Sequence, residues 1–151
     1  MKYGFYELSK EYRKDMSEFY RDEYYQEEHG LYKCVEYDKL DVDLRNKKQD
    51  VKNYIFHKYH KVNVDNPKLL DIGAGEGYVM DYFDKKGWGV TGIDYSSFGM
   101  KAHNPHVLDK LMVGDFNALI DECVEGKRTF DFINADNLLE HLSEPEEIFR
   151  K

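Results

Sequence analysis

The sequence predicts a parallel α/β sheet behind a helical N-terminal segment, and three observations carry that prediction. From residue 67 onward, short apolar runs alternate with amphipathic stretches at a spacing that calls for βαβ units. The first of these runs ends in a cluster of glycines. Before residue 67 the texture differs: polar stretches carry apolar positions three and four apart, and ten of the thirteen tyrosines lie before residue 60. The 151 residues therefore divide into a helical extension over 1–66 and an α/β domain over 67–151.

In chain order, residues 5–28 read as a helix, with Leu8, Tyr12, Met16, Phe19 and Tyr20 on one stripe and Gly30 as the stop. A second helix is expected over about 41–60. Its apolar stripe is Leu44, Val51, Tyr54, Ile55, Tyr59 and Val62, and a stripe of this kind needs something to cover. Asp65, Asn66 and Pro67 form a turn. A strand follows over 68–72, then a helix over 78–86 stopped by Gly87, and a second strand over 88–93. A short helical stretch from Ser96 leads to a third strand over 110–113, a helix over 116–124 and a fourth strand over 129–134. Pro145 opens a last helix.

Composition narrows the classes. Hydrophobic residues make up 41% and charged residues 34%, enough for a packed core. No run approaches the roughly 18 to 20 apolar residues of a membrane helix, and the first residues carry no apolar secretory region. Cys34 and Cys123 lie far apart and form no paired motif, so reduced thiols and a cytoplasmic location are expected. Residues 1–66 hold 13 basic against 14 acidic side chains, whereas 67–151 hold 9 against 16. The acidic second part repels a phosphate backbone, which disfavours nucleic acid as a partner.

The informative stretch runs from Leu69 to Tyr78. Strand, glycine loop and helix follow one another there, so free N–H groups at the helix start face whatever lies over the loop. A dinucleotide fingerprint needs its third glycine at position 78, which is Tyr. The third glycine is instead Gly77, after Gly73, Ala74 and Gly75, with Asp71 two residues before the first. This pattern resembles the first motif of class I S-adenosylmethionine-dependent methyltransferases. Three further segments resemble later motifs of that family in order: 91–96 with Asp94 and Tyr95, 114–116 with Asp115 and Phe116, and 130–134 with Asn134, followed by Leu138–Leu142.

The resemblance covers 68–151 and implies a Rossmann-like fold with strand order 3-2-1-4, the first part of the family's seven-stranded sheet. It implies S-adenosyl-L-methionine as cofactor and S-adenosyl-L-homocysteine as product. Asp94 then accepts from the ribose hydroxyls and Asp115 from the adenine amine, while Tyr95 and Phe116 offer apolar faces to the ring. An acidic cleft suits a cationic sulfur and an ammonium group. Each position also has a plainer reading. Asp71 either contacts the cofactor or anchors the glycine loop, and Asp94 either serves the ribose or is a turn residue. Asp115 either meets adenine or caps the helix that follows, and Phe116 either stacks or packs in the core. Asn134 either meets the methionine end or substrate, or satisfies local backbone.

For catalysis His141 is the candidate base, or else a structural histidine at a helix start. The tyrosine-rich segment 1–66 resembles the extension that lids the cofactor in many members of the family, which makes Tyr24, Tyr25 and Arg45 candidate lid contacts, Arg45 toward the cofactor carboxylate; the alternative is ordinary amphipathic packing. No metal is expected, because the Glu-x-x-Glu-His run of some quinone-pathway relatives has Asn137 at its first position here. His57 and His60 are too isolated to be ligands, and His103 and His106 are expected at the surface. The function expected is methyl transfer to oxygen or nitrogen of a small molecule, a sugar or other metabolite. The alternative is a non-catalytic cofactor-binding or interaction module, and Tyr78 disfavours a nicotinamide-dependent oxidoreductase. The fourth strand would leave an apolar edge, so the chain is expected to be the N-terminal piece of a longer protein, or else to have that edge covered by a second copy.

Overall fold

Four short parallel strands form one sheet in the order β3-β2-β1-β4, with β1 Lys68–Ile72, β2 Gly89–Asp94, β3 Leu111–Val113 and β4 Phe132–Asn134. This is the order the resemblance implies. The computed structural model describes residues 36–60, 65–142, 145–148 and 150–151. The expected first helix, with Tyr24, Tyr25 and Gly30, lies outside the described residues, as do Cys34 and Val62. The helices are α1 Lys39–Tyr59, α2 Tyr78–Lys85, α3 Phe98–His103, α4 Phe116–Glu125 and α5 Pro145–Ile148, with 3-10 turns at Pro105–Lys110 and Leu139–His141. Among the described residues no helix is long and apolar enough to cross a membrane.

Alternation along the strands divides the core in two. Leu69, Val90 and Phe132 pack with Met80, Phe83, Trp88, Met100 and Phe56 on one face of the sheet. Leu70, Ile72 and Ile93 pack with Phe116, Ile120, Cys123 and Leu138 on the other. Cys123 is a free, buried thiol. Gly92 is needed in β2 because a Cβ there would lie 2.4 Å from Met80 Sδ and 3.1 Å from Ala74 Cβ.

β4 is shorter than the expected 129–134. Asp131 explains the difference: its carboxylate accepts the Lys68 N–H at 2.8 Å while its own N–H donates to the Lys68 carbonyl at 2.9 Å. This clamp joins the starts of β1 and β4, so strand pairing begins only at Phe132 opposite Leu69.

α1 begins at Lys39, two residues before the expected 41, because Asp38 caps it. The Asp38 carboxylate accepts the Asp41 N–H at 2.9 Å, and the Asp41 carboxylate accepts the Asp38 N–H at 3.3 Å. The larger correction is to its buried face. Leu44, Val51, Tyr54, Ile55 and Tyr59 are all exposed. The face turned to the domain carries Arg45, Gln49, Lys52 and Phe56, spaced three and four apart. Phe56 meets Trp88 at 4.6 Å between ring centres and Phe132 at 6.2 Å. Arg45 and Lys52 meet polar groups and Gln49 is buried with its amide on the Arg45 carbonyl, so hydrophobicity alone selects the wrong side.

Adjacent residues therefore separate the two faces. Phe56→Ala is expected to cost about 3 kcal/mol in urea unfolding, whereas Ile55→Ala, at a side chain 48% exposed, stays within about 0.5 kcal/mol. Equal losses would mean that the outer stripe also packs.

Candidate functional site

At the C-terminal end of β1 the chain enters the glycine loop with Gly73, Gly75 and Gly77 at φ of 76°, 54° and 80°. These are left-handed conformations that residues with a Cβ resist. The loop is held to the end of β2. Gly73 and Ala74 both donate to the Ile93 carbonyl, at 2.8 and 3.1 Å, and Gly75 donates to Asp94 Oδ2 at 2.8 Å. Asp94 Oδ1 accepts the Ser96 N–H at 3.0 Å, and the Tyr95 N–H also bonds this carboxylate. The anchor of the loop is thus Asp94; the anchoring role considered for Asp71 is not what the structure shows.

Asp71 turns the other way. It pairs in register with Asn134, so both side chains leave the sheet on the α1 side. Asn134 Nδ2 donates to Asp71 Oδ1 at 2.6 Å, and Lys52 Nζ of α1 donates to Asn134 Oδ1 at 2.8 Å. Lys52 also reaches Asp136 at 3.0 Å, and Lys48 reaches the same carboxylate at 2.6 Å. Among the described residues, the buried Asp71 Oδ2 has no hydrogen-bond partner. Burial pushes the Asp71 carboxyl up to about 6, against the opposing effects of the Asn134 hydrogen bond and the Lys52 charge. Burial also raises Asp94, opposed by its backbone donors. At Asp136 burial is outweighed by hydrogen bonds and charge from Lys48 and Lys52, which hold its carboxyl below the ordinary range.

Within the loop, Glu76 gathers a second cluster. It accepts from Tyr37 Oη at 2.8 Å and pairs with Arg45 at 3.7 Å. The Arg45 guanidinium lies 4.0 Å from the centre of the Tyr37 ring and 4.8 Å from that of Tyr78. Burial pushes the Glu76 carboxyl up to about 7. His103 joins this cluster, 3.6 Å from Glu76 and 3.5 Å from Tyr78 Oη. The surface location expected for His103 is therefore corrected: α3 packs it behind the loop, where burial and then Arg45 lower its pKa. His106 is half exposed, as expected, but pairs with Asp81 at 2.6 Å.

Beyond β2 and β3, Asp115 caps α4, its Oδ1 accepting the Ala118 N–H at 3.0 Å while Oδ2 takes a long 3.4 Å bond from Tyr95 Oη. Phe116 is buried in the second core layer, with the Tyr95 ring at 4.2 Å. Leu138 is buried beneath Gly73, where an added Cβ would come within 3.3 Å of it, and His141 is exposed at the end of the last 3-10 turn. Asp71, the glycine loop, Asp94 and Asn134 thus converge at the C-terminal ends of β1, β2 and β4. Tyr95, Asp115 and Phe116 group beside them. Sequence reasoning missed Lys52, Asp136 and Glu76. Glu76 lies inside the glycine motif itself, and Lys52 lies seven residues after Arg45, two turns along one helix face.

Asp71 and Glu76 both keep their protons to higher pH in the fold than their ordinary values of 3.8 and 4.5 allow. Folding takes up protons between those values and about 6 and 7, so stability falls as pH rises through that window. His103, held below its ordinary pKa, works the other way near neutral pH, so the measure is the difference in urea unfolding from pH 4 to 8 between wild type and Asp71→Asn, which is expected to lose the decline between 3.8 and about 6. A slope that Asp71→Asn leaves unchanged would place the titration elsewhere.

Comparison with known proteins bears on this site. A protein-family model described as a methyltransferase domain matches residues 42–151. The ubiquinone biosynthesis O-methyltransferase of Chromobacterium violaceum is 30% identical over 90 residues, 58% of this chain and 39% of that protein. The protein of the same name from Vibrio campbellii is 29% identical over 101 residues, 65% of this chain and 42% of its own length. That from Stutzerimonas stutzeri is 26% identical over 91 residues, 59% and 39%. The chain spans about two fifths of the length of these curated relatives.

Proposed function

Because the chain belongs to the class I S-adenosylmethionine-dependent methyltransferases, we propose that it binds S-adenosyl-L-methionine across the C-terminal ends of its strands, and that the protein passes the methyl group to a small-molecule acceptor. The observation that carries this reading is the glycine loop bonded to Asp94, beside a buried Asp71 oxygen with no partner. The residues present fit the cofactor. An orphaned carboxylate oxygen is completed by an ammonium group or by a water bridging to one, and the lone pairs left on Asp94 suit ribose hydroxyls.

The cofactor, when bound, supplies an electrophilic methyl on positively charged sulfur. The chain's own residues bind and align it, the main requirement for an in-line displacement. Gly73, Ala74, Gly75 and Gly77 let the backbone approach closely. Asp94 holds the ribose, Asp115 Oδ2 takes the adenine amine, and the Tyr95 ring, braced by Phe116, covers the adenine face. Asp71 and Asn134 serve the methionine end, with Arg45 reaching in from α1; Tyr25, expected as a lid contact, lies outside the described residues. The names of the relatives favour oxygen as the attacking atom. A hydroxyl must lose its proton, and His141, after β4, is the group offered for that step.

Calorimetric titration tests the reading. S-adenosyl-L-homocysteine is expected to bind saturably and NAD not at all. Asp94→Ala should weaken binding by at least about tenfold. Asp115→Ser retains a helix cap yet loses the second oxygen, so a few-fold loss with unchanged unfolding is expected there. Binding of NAD, or of neither ligand by the folded chain, would overturn the assignment.

A further inference from the structure

The strands of the site are joined to α1 by one part-buried chain of donors and acceptors, and its direction is set at its two ends, by Lys52, which donates, and by the Asp71 carboxylate, which accepts. An ammonium group only donates. With Lys52 Nζ 2.8 Å from the Asn134 side chain, the amide must present its oxygen to the lysine and its nitrogen to Asp71, as found at 2.6 Å. That occupies Asp71 Oδ1 and leaves Oδ2 as the unpartnered acceptor. Asp136, 3.0 Å away, holds the lysine from its other side. Gln49, one turn before Lys52 on the same face, keeps a second buried acceptor, Oε1, that has no partner among the described residues. The geometry points to Lys52 as a positioning residue of the cofactor pocket: from α1 it fixes the Asn134 amide so that Asp71 stays available to the amino-acid end of the cofactor. Lys52 itself need not touch the ligand. This deepens the reading above and rests on it.

The consequence is selective. Without Lys52 the Asn134 oxygen loses its donor, so the amide is held from the Asp71 end alone and the Asp71–Asn134 pair loosens. The damage falls on the amino-acid end, because Asp94 bonds to Gly75 and Ser96 and Asp115 to Ala118 rather than to Lys52, Asn134 or Asp71. Two ligands read the difference: S-adenosyl-L-homocysteine, and 5′-methylthioadenosine, which keeps the nucleoside and sulfur but lacks the amino acid.

By titration, Lys52→Met is expected to weaken S-adenosyl-L-homocysteine about tenfold or more while 5′-methylthioadenosine changes less than about twofold. Lys52→Arg, which still donates, should recover most of the loss. Lys48→Met, which removes only the outer bond to Asp136, should leave both affinities near wild type and control for loosening of α1. Equal losses for both ligands in Lys52→Met would reduce the residue to a general fold contact, and unchanged affinities would remove its role; either overturns the proposal. Failure of the wild-type chain to bind either ligand would instead overturn the cofactor assignment, and this proposal with it.

Discussion

The glycine loop stands because the end of β2 holds it. Three successive loop N–H groups, from Gly73, Ala74 and Gly75, bond to the Ile93 carbonyl and the Asp94 carboxylate. A left-handed turn with no Cβ has little stiffness of its own, and without those bonds its N–H groups would not keep one direction. Every other feature of the site is placed relative to this junction. α2 starts from Gly77, Glu76 is turned toward α1, and Leu138 closes beneath Gly73.

This constraint makes Asp94 serve two purposes. Its carboxylate accepts backbone donors from the glycine loop and from the turn after β2, which opposes the rise in pKa that burial causes and keeps a negative group stable within a small core. Asp71 lacks such donors. It shares one oxygen with Asn134 and leaves the other unpaired. The two carboxylates thus differ in role because backbone N–H groups point at one of them and not at the other.

α1 is part of the site as much as the sheet is. It runs from the glycine loop, where Arg45 meets Glu76, past the end of β4, where Lys52 meets Asn134, to Trp88, where Phe56 packs. Its inner face is mostly polar because the sheet edge it covers there is polar. A periodicity search ranks faces by apolar content, so it finds Leu44, Val51 and Ile55, all exposed. Reading such a helix requires knowing which groups it will meet, and for Lys52 those lie more than eighty residues away in the chain.

The sequence by itself determined the strand–loop–helix order, the strand β1 at Lys68–Ile72, the glycine positions and the placing of Asp71, Asp94, Asp115 and Asn134 at strand ends or just beyond them. These depend on local propensity and on short spacings, which one stretch of chain contains in full. Only the tertiary structure decided that Asp94 rather than Asp71 anchors the loop, that β4 starts at Phe132, that His103 is drawn in behind Glu76, and that Lys52 orients Asn134. Each of those outcomes turns on which partner reaches a given donor or acceptor first. That competition is resolved between residues distant in sequence, when burial removes water as an alternative partner.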